Sequence, residues 1–182
     1  PVLDSNSVKV LVKHYQKYIN KNDNEHLALA YYRIGVLQRS HHSNQSISAF
    51  NEYIATKDDI YLNEVLYQLG YLYIETKHHN NAINSFEEYL SKGYKTHADE
   101  VQYQLGFLYI KNKQPKKAIA VYEQYLSGEV KEHSAVTQLN LGSLYLETKQ
   151  PFLALAAFEN ARKFPQYRQN KELLQTLKVL YQ

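Results

Sequence analysis

Hydrophobic positions along the chain recur at the three- and four-residue spacing of amphipathic helices, and Val, Ile and Thr form no alternating runs typical of strands. Four segments align on a shared glycine: AYYRIGVLQR, VLYQLGYLYIET, VQYQLGFLYIKN and TQLNLGSLYLET. These glycines, Gly35, Gly70, Gly106 and Gly142, are 35, 36 and 36 residues apart. Each segment is followed by a second helical stretch, namely SISAFNEYI, NAINSFEEYL, KAIAVYEQYL and ALAAFENAR. The pattern therefore predicts an all-α chain that repeats one pair of helices.

The repeat predicts a single domain over residues 1–182. Its predicted parts are a half-repeat at 5–22, four helix pairs at 25–57, 60–93, 96–129 and 132–165, and a terminal helix at 170–182. The half-repeat is interpreted as a second helix, because Tyr15 and Tyr18 match Phe86 and Tyr89. The terminal helix matches a first helix, with Lys178 in the glycine position. We interpret an array with a half-pair at each end as an excerpt from a longer protein; two capping helices are the alternative.

Glycine and proline support the predicted ends of the helices. Gly93 and Gly128 come just after second helices, where a residue in the left-handed conformation commonly ends a helix. Pro115 and Pro151 stand where second helices begin, and proline suits the first helical turn.

The repeat resembles the tetratricopeptide-repeat family, whose unit is about 34 residues long. That family's motif has Leu-Gly, then an aromatic residue three positions later, a small residue twelve later and an aromatic residue sixteen later. The matching residues are Leu69-Gly70, Leu105-Gly106 and Leu141-Gly142, with Ile34-Gly35 as a variant; Tyr73, Tyr109 and Tyr145; Ala82, Ala118 and Ala154; and Phe86, Tyr122 and Phe158. The first repeat departs from the motif, because Gln38 replaces the tyrosine and one residue is missing before Phe50. The resemblance implies an α-α superhelix, a solenoid of about ten antiparallel helices.

Tyrosine accounts for the main departures from the family pattern. The early tryptophan of the family is absent, and Tyr53, Tyr89 and Tyr125 stand where a small residue is expected on the second helix. Two tyrosine series recur once per repeat: Tyr73, Tyr109, Tyr145 and Tyr181, and Tyr18, Tyr53, Tyr89 and Tyr125. Since recurrence at the repeat length is what packing between repeats produces, we predict that both series lie in the core. The pentatricopeptide repeat has a similar period but lacks this Leu-Gly and tyrosine pattern.

The first helices are apolar on two sides. One stripe, for example Val65, Leu69 and Leu72, is predicted to pack in the core. A nearly opposite face collects the residues three before, one after and four after each glycine. These are Tyr32, Val36 and Arg39; Tyr67, Tyr71 and Ile74; Tyr103, Phe107 and Ile110; and Leu139, Ser143 and Leu146.

The family resemblance implies that this second face lines a concave inner surface that binds peptides. Tyr67, Tyr71, Tyr103 and Phe107 would then form an aromatic trough, and exposed apolar area of that kind marks interaction sites. The alternative is that these side chains fill contacts between adjacent first helices. A polar rim is predicted at the residues two before each glycine, which are Arg33, Gln68, Gln104 and Asn140.

Charge and composition exclude several function classes. The chain has 21 basic and 18 acidic residues, a balance that argues against a nucleic-acid partner, which needs a concentrated basic patch. It has no cysteine, which excludes disulfides and thiolate metal sites. No stretch approaches the roughly 20 apolar residues that span a bilayer. The 18 tyrosines against 6 phenylalanines favour half-buried surfaces and interfaces.

No set of residues supports catalysis, a metal or a cofactor. The pairs considered are His41-His42, His78-His79, Asp58-Asp59 and Glu87-Glu88. The histidine pairs lie in equivalent turns with no further ligand at metal-binding spacing, and the acidic pairs do not converge across a pocket. Nucleophile-elbow, phosphate-binding and dinucleotide-binding motifs are absent. The chain is therefore predicted to be no enzyme.

The leading hypothesis is a protein-interaction scaffold that binds a hydrophobic or aromatic segment in the concave groove. Family members that bind a C-terminal carboxylate use Lys and Asn at the inner positions. Because these positions are aromatic or aliphatic here, the sequence does not support recognition of a C-terminal carboxylate. The alternative is the repeat region of a larger bacterial secretion, polysaccharide-export or cell-envelope machine, which the Asn-, Lys-, Ile- and Tyr-rich composition favours slightly. The sequence leaves the compartment open between cytoplasm and periplasm.

Overall fold

The computed structural model describes residues 4–21, 26–127 and 129–182, and the chain divides into two compact units, Pro1–Tyr94 and Lys95–Gln182. The described residues of the first unit form α1 (Ser5–Asn20), α2 (Leu27–Gln38), α3 (Ser43–Ala55), α4 (Leu62–Glu75) and α5 (His79–Ser91). Those of the second form α6 (Ala98–Lys111), α7 (Pro115–Leu126), α8 (Ser134–Glu147), α9 (Pro151–Arg162), a 3-10 turn (Pro165–Tyr167) and α10 (Lys171–Leu180). The prediction of an all-α fold is confirmed.

Within each unit, helices that follow one another in sequence pack against one another. The most extensive contacts join each first helix to its own second helix: α2 to α3 and α4 to α5 in the first unit, and α6 to α7 and α8 to α9 in the second. Smaller contacts join α1 to α2, α3 to α4, α7 to α8 and α9 to α10. Within each unit, successive helices thus cover one another's apolar stripes, as a repeat array requires.

The predicted core stripe of the first helices is buried. Val65, Leu69 and Leu72 on α4 are almost completely inaccessible, and so are Val101, Leu105 and Leu108 on α6. Burial of such side chains is worth about 1.5–3 kcal/mol each. The recurring aliphatic stripe therefore supplies much of the energy that holds each helix pair together.

Each first-helix glycine faces an aromatic ring of the second helix of its own pair. A Cβ atom built on Gly70 would lie 2.1 Å from Cε1 of Phe86, and one built on Gly106 would lie 2.0 Å from Cε1 of Tyr122. Gly35 meets Phe50 and Gly142 meets Phe158 in the same way. In all four pairs the ring occupies the space that a side chain at the glycine position would need.

Two buried tyrosines of the second helices also bond to the start of the next first helix. Tyr53 and Tyr125 are buried, as predicted. The Tyr53 hydroxyl accepts a hydrogen bond from the backbone N–H of Tyr61 at 2.8 Å and donates one to Asp58 Oδ1 at 2.9 Å. The Tyr125 hydroxyl accepts from the backbone N–H of His133 at 3.1 Å. Tyr61 and His133 are N-cap residues that make no side-chain capping bond, so the tyrosine hydroxyls help to satisfy these helix ends.

The second tyrosine series departs from the predicted core at its end. Tyr109 and Tyr145 are buried and Tyr73 is half-buried, but Tyr181 is 64% exposed. The core prediction is therefore wrong for Tyr181. Its hydroxyl donates to Glu159 Oε1 at 2.7 Å across the α9–α10 contact, and its ring remains in solvent.

The turn residues follow the prediction in part. Gly93 has a φ of 75° just after α5, and Pro115 and Pro151 begin α7 and α9, as predicted. Gly128 lies outside the described residues. Four lysines that the sequence does not single out also have left-handed backbone, with φ between 55° and 63°: Lys57, Lys77, Lys113 and Lys149. The tight turns after α3, α4, α6 and α8 therefore form without glycine, although the left-handed conformation is sterically unfavourable for lysine.

Candidate functional site

The predicted site residues form what we call the glycine-flanking face, defined on each first helix as the positions three before, one after and four after its glycine. Its predicted members are Tyr32, Val36 and Arg39 on α2; Tyr67, Tyr71 and Ile74 on α4; Tyr103, Phe107 and Ile110 on α6; and Leu139 on α8. Val36 is 42% exposed and Phe107 is 44% exposed. The other eight are half-buried. Each first helix therefore presents apolar side chains to solvent on a side away from its core stripe.

The face of α4 carries two tyrosines in mutual contact. The ring centroids of Tyr67 and Tyr71 lie 5.0 Å apart in an edge-to-face arrangement. Tyr71 also meets Phe86 of α5 edge-to-face at 5.5 Å, and Tyr67 lies 6.4 Å from Tyr89 of α5. Because buried aromatic rings support both tyrosines from below, they are held in fixed orientations with part of each ring accessible.

The tyrosines three before the glycine contribute to packing as well as to the face. Tyr32 stacks on Tyr61 with a centroid distance of 4.1 Å and an interplanar angle of 4°. Tyr103 stacks in the same manner on His133, also at 4.1 Å. In each case the partner residue lies just before the next first helix, so one side of the ring is covered. These two rings therefore contribute to packing between neighbouring repeats, as the alternative interpretation of the face proposes.

The surroundings of Tyr32 on the α2 face keep its phenol neutral. Burial, and after it the Glu64 carboxylate, raise the pKa of Tyr32 above its ordinary value. A neutral phenol can donate a hydrogen bond at any physiological pH. The same holds for Tyr53, whose pKa is raised chiefly by burial.

Arg39 is the charged member of the face, and it bonds to α4. Its Nε donates to Gln68 Oε1 at 2.6 Å, and its guanidinium forms an ion pair with Glu75 at 3.0 Å. Gln68 in turn donates to Glu64 Oε1 at 2.6 Å. Gln68 belongs to the predicted polar rim, and the structure shows it bonded to protein side chains on both sides. The network links α2 to α4 and balances the charge of Arg39 on the face.

In the second unit the face carries a positive charge over an aromatic ring. Lys111 Nζ lies 4.9 Å from the ring centroid of Phe107, within the range of a cation–π interaction.

Sequence reasoning did not single out Phe152 on α9, which is 86% exposed. The equivalent residue is Lys116 on α7, so comparison of the repeats position by position would have found this apolar substitution.

The described parts of the chain contain neither a candidate metal site nor a candidate membrane span. Residues 4–21, 26–127 and 129–182 contain no group of three metal-ligating side chains. The ring centroids of His41 and His42 lie 6.4 Å apart. Over the same residues, no helix combines the length and apolarity of a membrane span.

Comparison with known proteins identifies the repeat. The family model described as "Tetratricopeptide repeat" matches residues 64–91 and 99–127, which cover most of α4–α5 and α6–α7. No curated protein sequence matches the chain.

Solved structures match over most of the chain. YrrB, described as "a TPR protein with an unusual peptide-binding site", has a TM-score of 0.67 and 20% identity, covering 92% of this chain and 81% of its own. A structure of MamA has a TM-score of 0.62 and 20% identity, covering 84% and 85%. PilF of Pseudomonas aeruginosa has a TM-score of 0.55 and 13% identity, covering 97% and 89%. At these identities the matches show a shared fold of the α-α superhelix class.

The family model matches two helix pairs, and the glycine and ring pairing that it covers recurs in the other two. The glycine spacings of 35 and 36 residues agree with the spacing of the helices. Residues 64–91 and 99–127 are therefore tetratricopeptide repeats.

Proposed function

We propose that the chain is a non-catalytic scaffold that binds a hydrophobic or aromatic segment of a partner protein on the glycine-flanking faces of its first helices. Protein interaction is the general role of the tetratricopeptide-repeat fold. The observation that carries the finer proposal is the exposure of large apolar side chains on these faces within each unit: Val36 is exposed and Tyr67 and Tyr71 are half-buried in the first unit, and Phe107 is exposed in the second. Monomeric surfaces rarely expose large apolar side chains in clusters unless they bind something.

The chemistry of the faces favours an apolar segment. Nine of the ten predicted site residues are aromatic or aliphatic, and the tenth, Arg39, is paired with Glu75. Tyrosines held by a supporting layer lose little side-chain entropy on binding, which suits them to recognition. A segment that places aromatic or aliphatic side chains against these rings gains burial without leaving a charge unpaired.

A paired substitution tests this proposal. Tyr71→Ala combined with Phe107→Ala removes one ring from the face in each unit. We expect it to lower the affinity for a partner captured by the wild-type chain at least tenfold, because each lost aromatic contact costs about 1 kcal/mol or more. The measurement is a titration of the partner against both proteins, with helical content checked by circular dichroism.

Phe152→Ala is the matched control, since Phe152 is a more exposed aromatic residue that lies outside the face. Its binding should stay within a factor of two of wild type. Unchanged binding by the double variant would refute the proposal. Unfolding of the double variant would favour the packing interpretation of these rings.

The second candidate is a repeat region of a larger bacterial secretion, polysaccharide-export or cell-envelope assembly. The composition of the chain and a structural match to a Pseudomonas aeruginosa protein support it. The sequence of the complete gene decides between the two, because a signal peptide or a further domain encoded beside the repeats would favour the assembly role.

A further inference from the structure

One tyrosine position of the repeat is filled differently in the first helix pair. In α4 and α8, the residue three after the glycine is a tyrosine whose hydroxyl bonds to the preceding second helix of the same unit. Tyr73 exchanges hydrogen bonds with the Asn51 side chain at 3.1 and 3.3 Å, and the Tyr145 hydroxyl donates to Glu123. Asn51 and Glu123 occupy the same repeat position, one residue after the ring that faces the glycine.

In α2 this position is Gln38. Its side-chain nitrogen donates to Gln45 Oε1 of α3 at 2.8 Å, so the side chain bonds to the second helix of its own pair. By repeat register, the α1 residue equivalent to Asn51 and Glu123 is Gln16, because Tyr15 is equivalent to Phe50. The first pair thus keeps a polar residue at this position of the preceding helix, but Gln38 replaces the tyrosine that bonds to it in α4 and α8.

A cleft of about 300 Å³ lies at this place, between α1, α2 and α3. Gln16 and Gln38 both line it. The apolar wall of the cleft consists of Ile19 and of the buried core residues Ile34 and Ala49. Glu52 adds a carboxylate. A volume of this size is at the lower end of ligand pockets and can receive one aromatic side chain.

We propose that this cleft binds a tyrosine side chain of a partner protein. The ring would lie against Ile19, Ile34 and Ala49, and the hydroxyl would donate to the Gln16 carbonyl or the Glu52 carboxylate. The protein itself shows the complementarity, because its own Tyr73 and Tyr145 use a partner at the Gln16 position in later repeats. None of the described residues that line the cleft is basic, which favours a neutral phenol over an anion.

The site is separate from the glycine-flanking face. Ile34 and Gln38 are buried residues of α2, whereas Val36 and Arg39 carry the face on another side of the same helix. Gln16 and Glu52 at the rim are exposed, so a side chain can enter from solvent. The inference therefore goes beyond the proposed function and holds or fails independently of it.

The test uses p-cresol, the analogue of the tyrosine side chain, added to the isotopically labelled chain and followed by NMR chemical shifts. We expect saturable shifts confined to residues of α1, α2 and α3. Gln38→Tyr supplies the missing ring from within the chain, and it should weaken p-cresol binding at least tenfold. The matched control is Gln175→Tyr at an exposed position of α10, which should leave binding unchanged. Absence of saturable shifts in the wild type, or equal binding by Gln38→Tyr, would overturn the proposal.

Two amino-acid derivatives separate a partner's tyrosine from a free phenol. N-acetyl-tyrosinamide should shift the same residues, and N-acetyl-phenylalaninamide should bind more weakly, because it lacks the hydroxyl. If p-cresol binds and N-acetyl-tyrosinamide does not, a polypeptide cannot reach the cleft, and the proposal fails. If the two amino-acid derivatives bind equally well, the hydroxyl has no role in recognition. If Gln38→Tyr loses its helical circular dichroism, Gln16→Leu takes its place. It should lower the affinity for p-cresol but not for toluene, and an equal effect on both would count against the proposal.

Discussion

Truncation of Tyr53 to alanine is expected to lower the free energy of unfolding by about 3–5 kcal/mol, the range for removing a buried aromatic ring. Tyr53 is completely buried on α3 and packs near Tyr32. The truncation leaves a cavity and also removes the hydrogen-bond partner of the Tyr61 backbone N–H. Urea denaturation followed by circular dichroism measures the change.

Tyr53→Phe separates the hydroxyl from the ring. It keeps the packing but leaves the Tyr61 N–H and the Asp58 carboxylate without this partner, so we expect a loss of about 1–3 kcal/mol. Tyr94→Phe is the matched control at a half-buried tyrosine of the same unit, and it should change stability by less than about 0.5 kcal/mol. A Tyr53→Phe protein as stable as wild type would mean that the hydroxyl does not support the start of α4.

Gly70→Ala should destabilise the chain by about 1–3 kcal/mol, the cost of forcing an extra group into a packed core. Helix propensity alone predicts the opposite sign, since alanine in a helix interior is favoured over glycine by about 1 kcal/mol. The steric effect should dominate because the new Cβ would lie 2.1 Å from Cε1 of Phe86. The same denaturation measurement therefore gives a result whose sign alone is informative.

A double-mutant cycle identifies the clash as the cause. Phe86→Leu removes the ring, so Gly70→Ala introduced into that background should cost much less than it does in the wild type. The coupling between the two substitutions should exceed about 0.5 kcal/mol, since the residues are in direct contact. A Gly70→Ala protein more stable than wild type would contradict the packing described for all four glycines.

The helices and their buried stripes could be predicted from sequence because they follow from periodicity. Recurring glycines set the register of the pairs, and aliphatic residues such as Leu69 and Leu105 share the buried face in every copy. Pro115 marks a helix start by its own covalent geometry. These features depend on residue type and spacing alone, and four copies of the pattern make them unambiguous.

Features that depend on side-chain direction could not be predicted in this way. The repeat indicated that Tyr53 is core, but not that its hydroxyl reaches the backbone of Tyr61. Nor did it indicate the left-handed turn at Lys113, where glycine would be the usual choice. Tyr181 keeps the repeat spacing yet is exposed, because position within a repeat does not determine which neighbour covers it.

The candidate site was predicted as a face but not in its internal contacts. The helical spacing predicts the glycine-flanking positions as a set apart from the core stripe. It did not reveal that Tyr32 stacks on Tyr61, or that Arg39 is paired with Glu75. These contacts join residues that are far apart in sequence, so the local pattern contains no trace of them.

Site-specific photo-crosslinking shows whether a partner binds on the glycine-flanking faces, because it reports where the partner lies on the chain. A benzophenone side chain is introduced singly at Val36, Phe107 or Phe152, all of which are exposed enough to accept it. We expect positions 36 and 107 to crosslink to the same partner protein and position 152 not to crosslink to it. Crosslinking from position 152 alone, with none from positions 36 and 107, would contradict it.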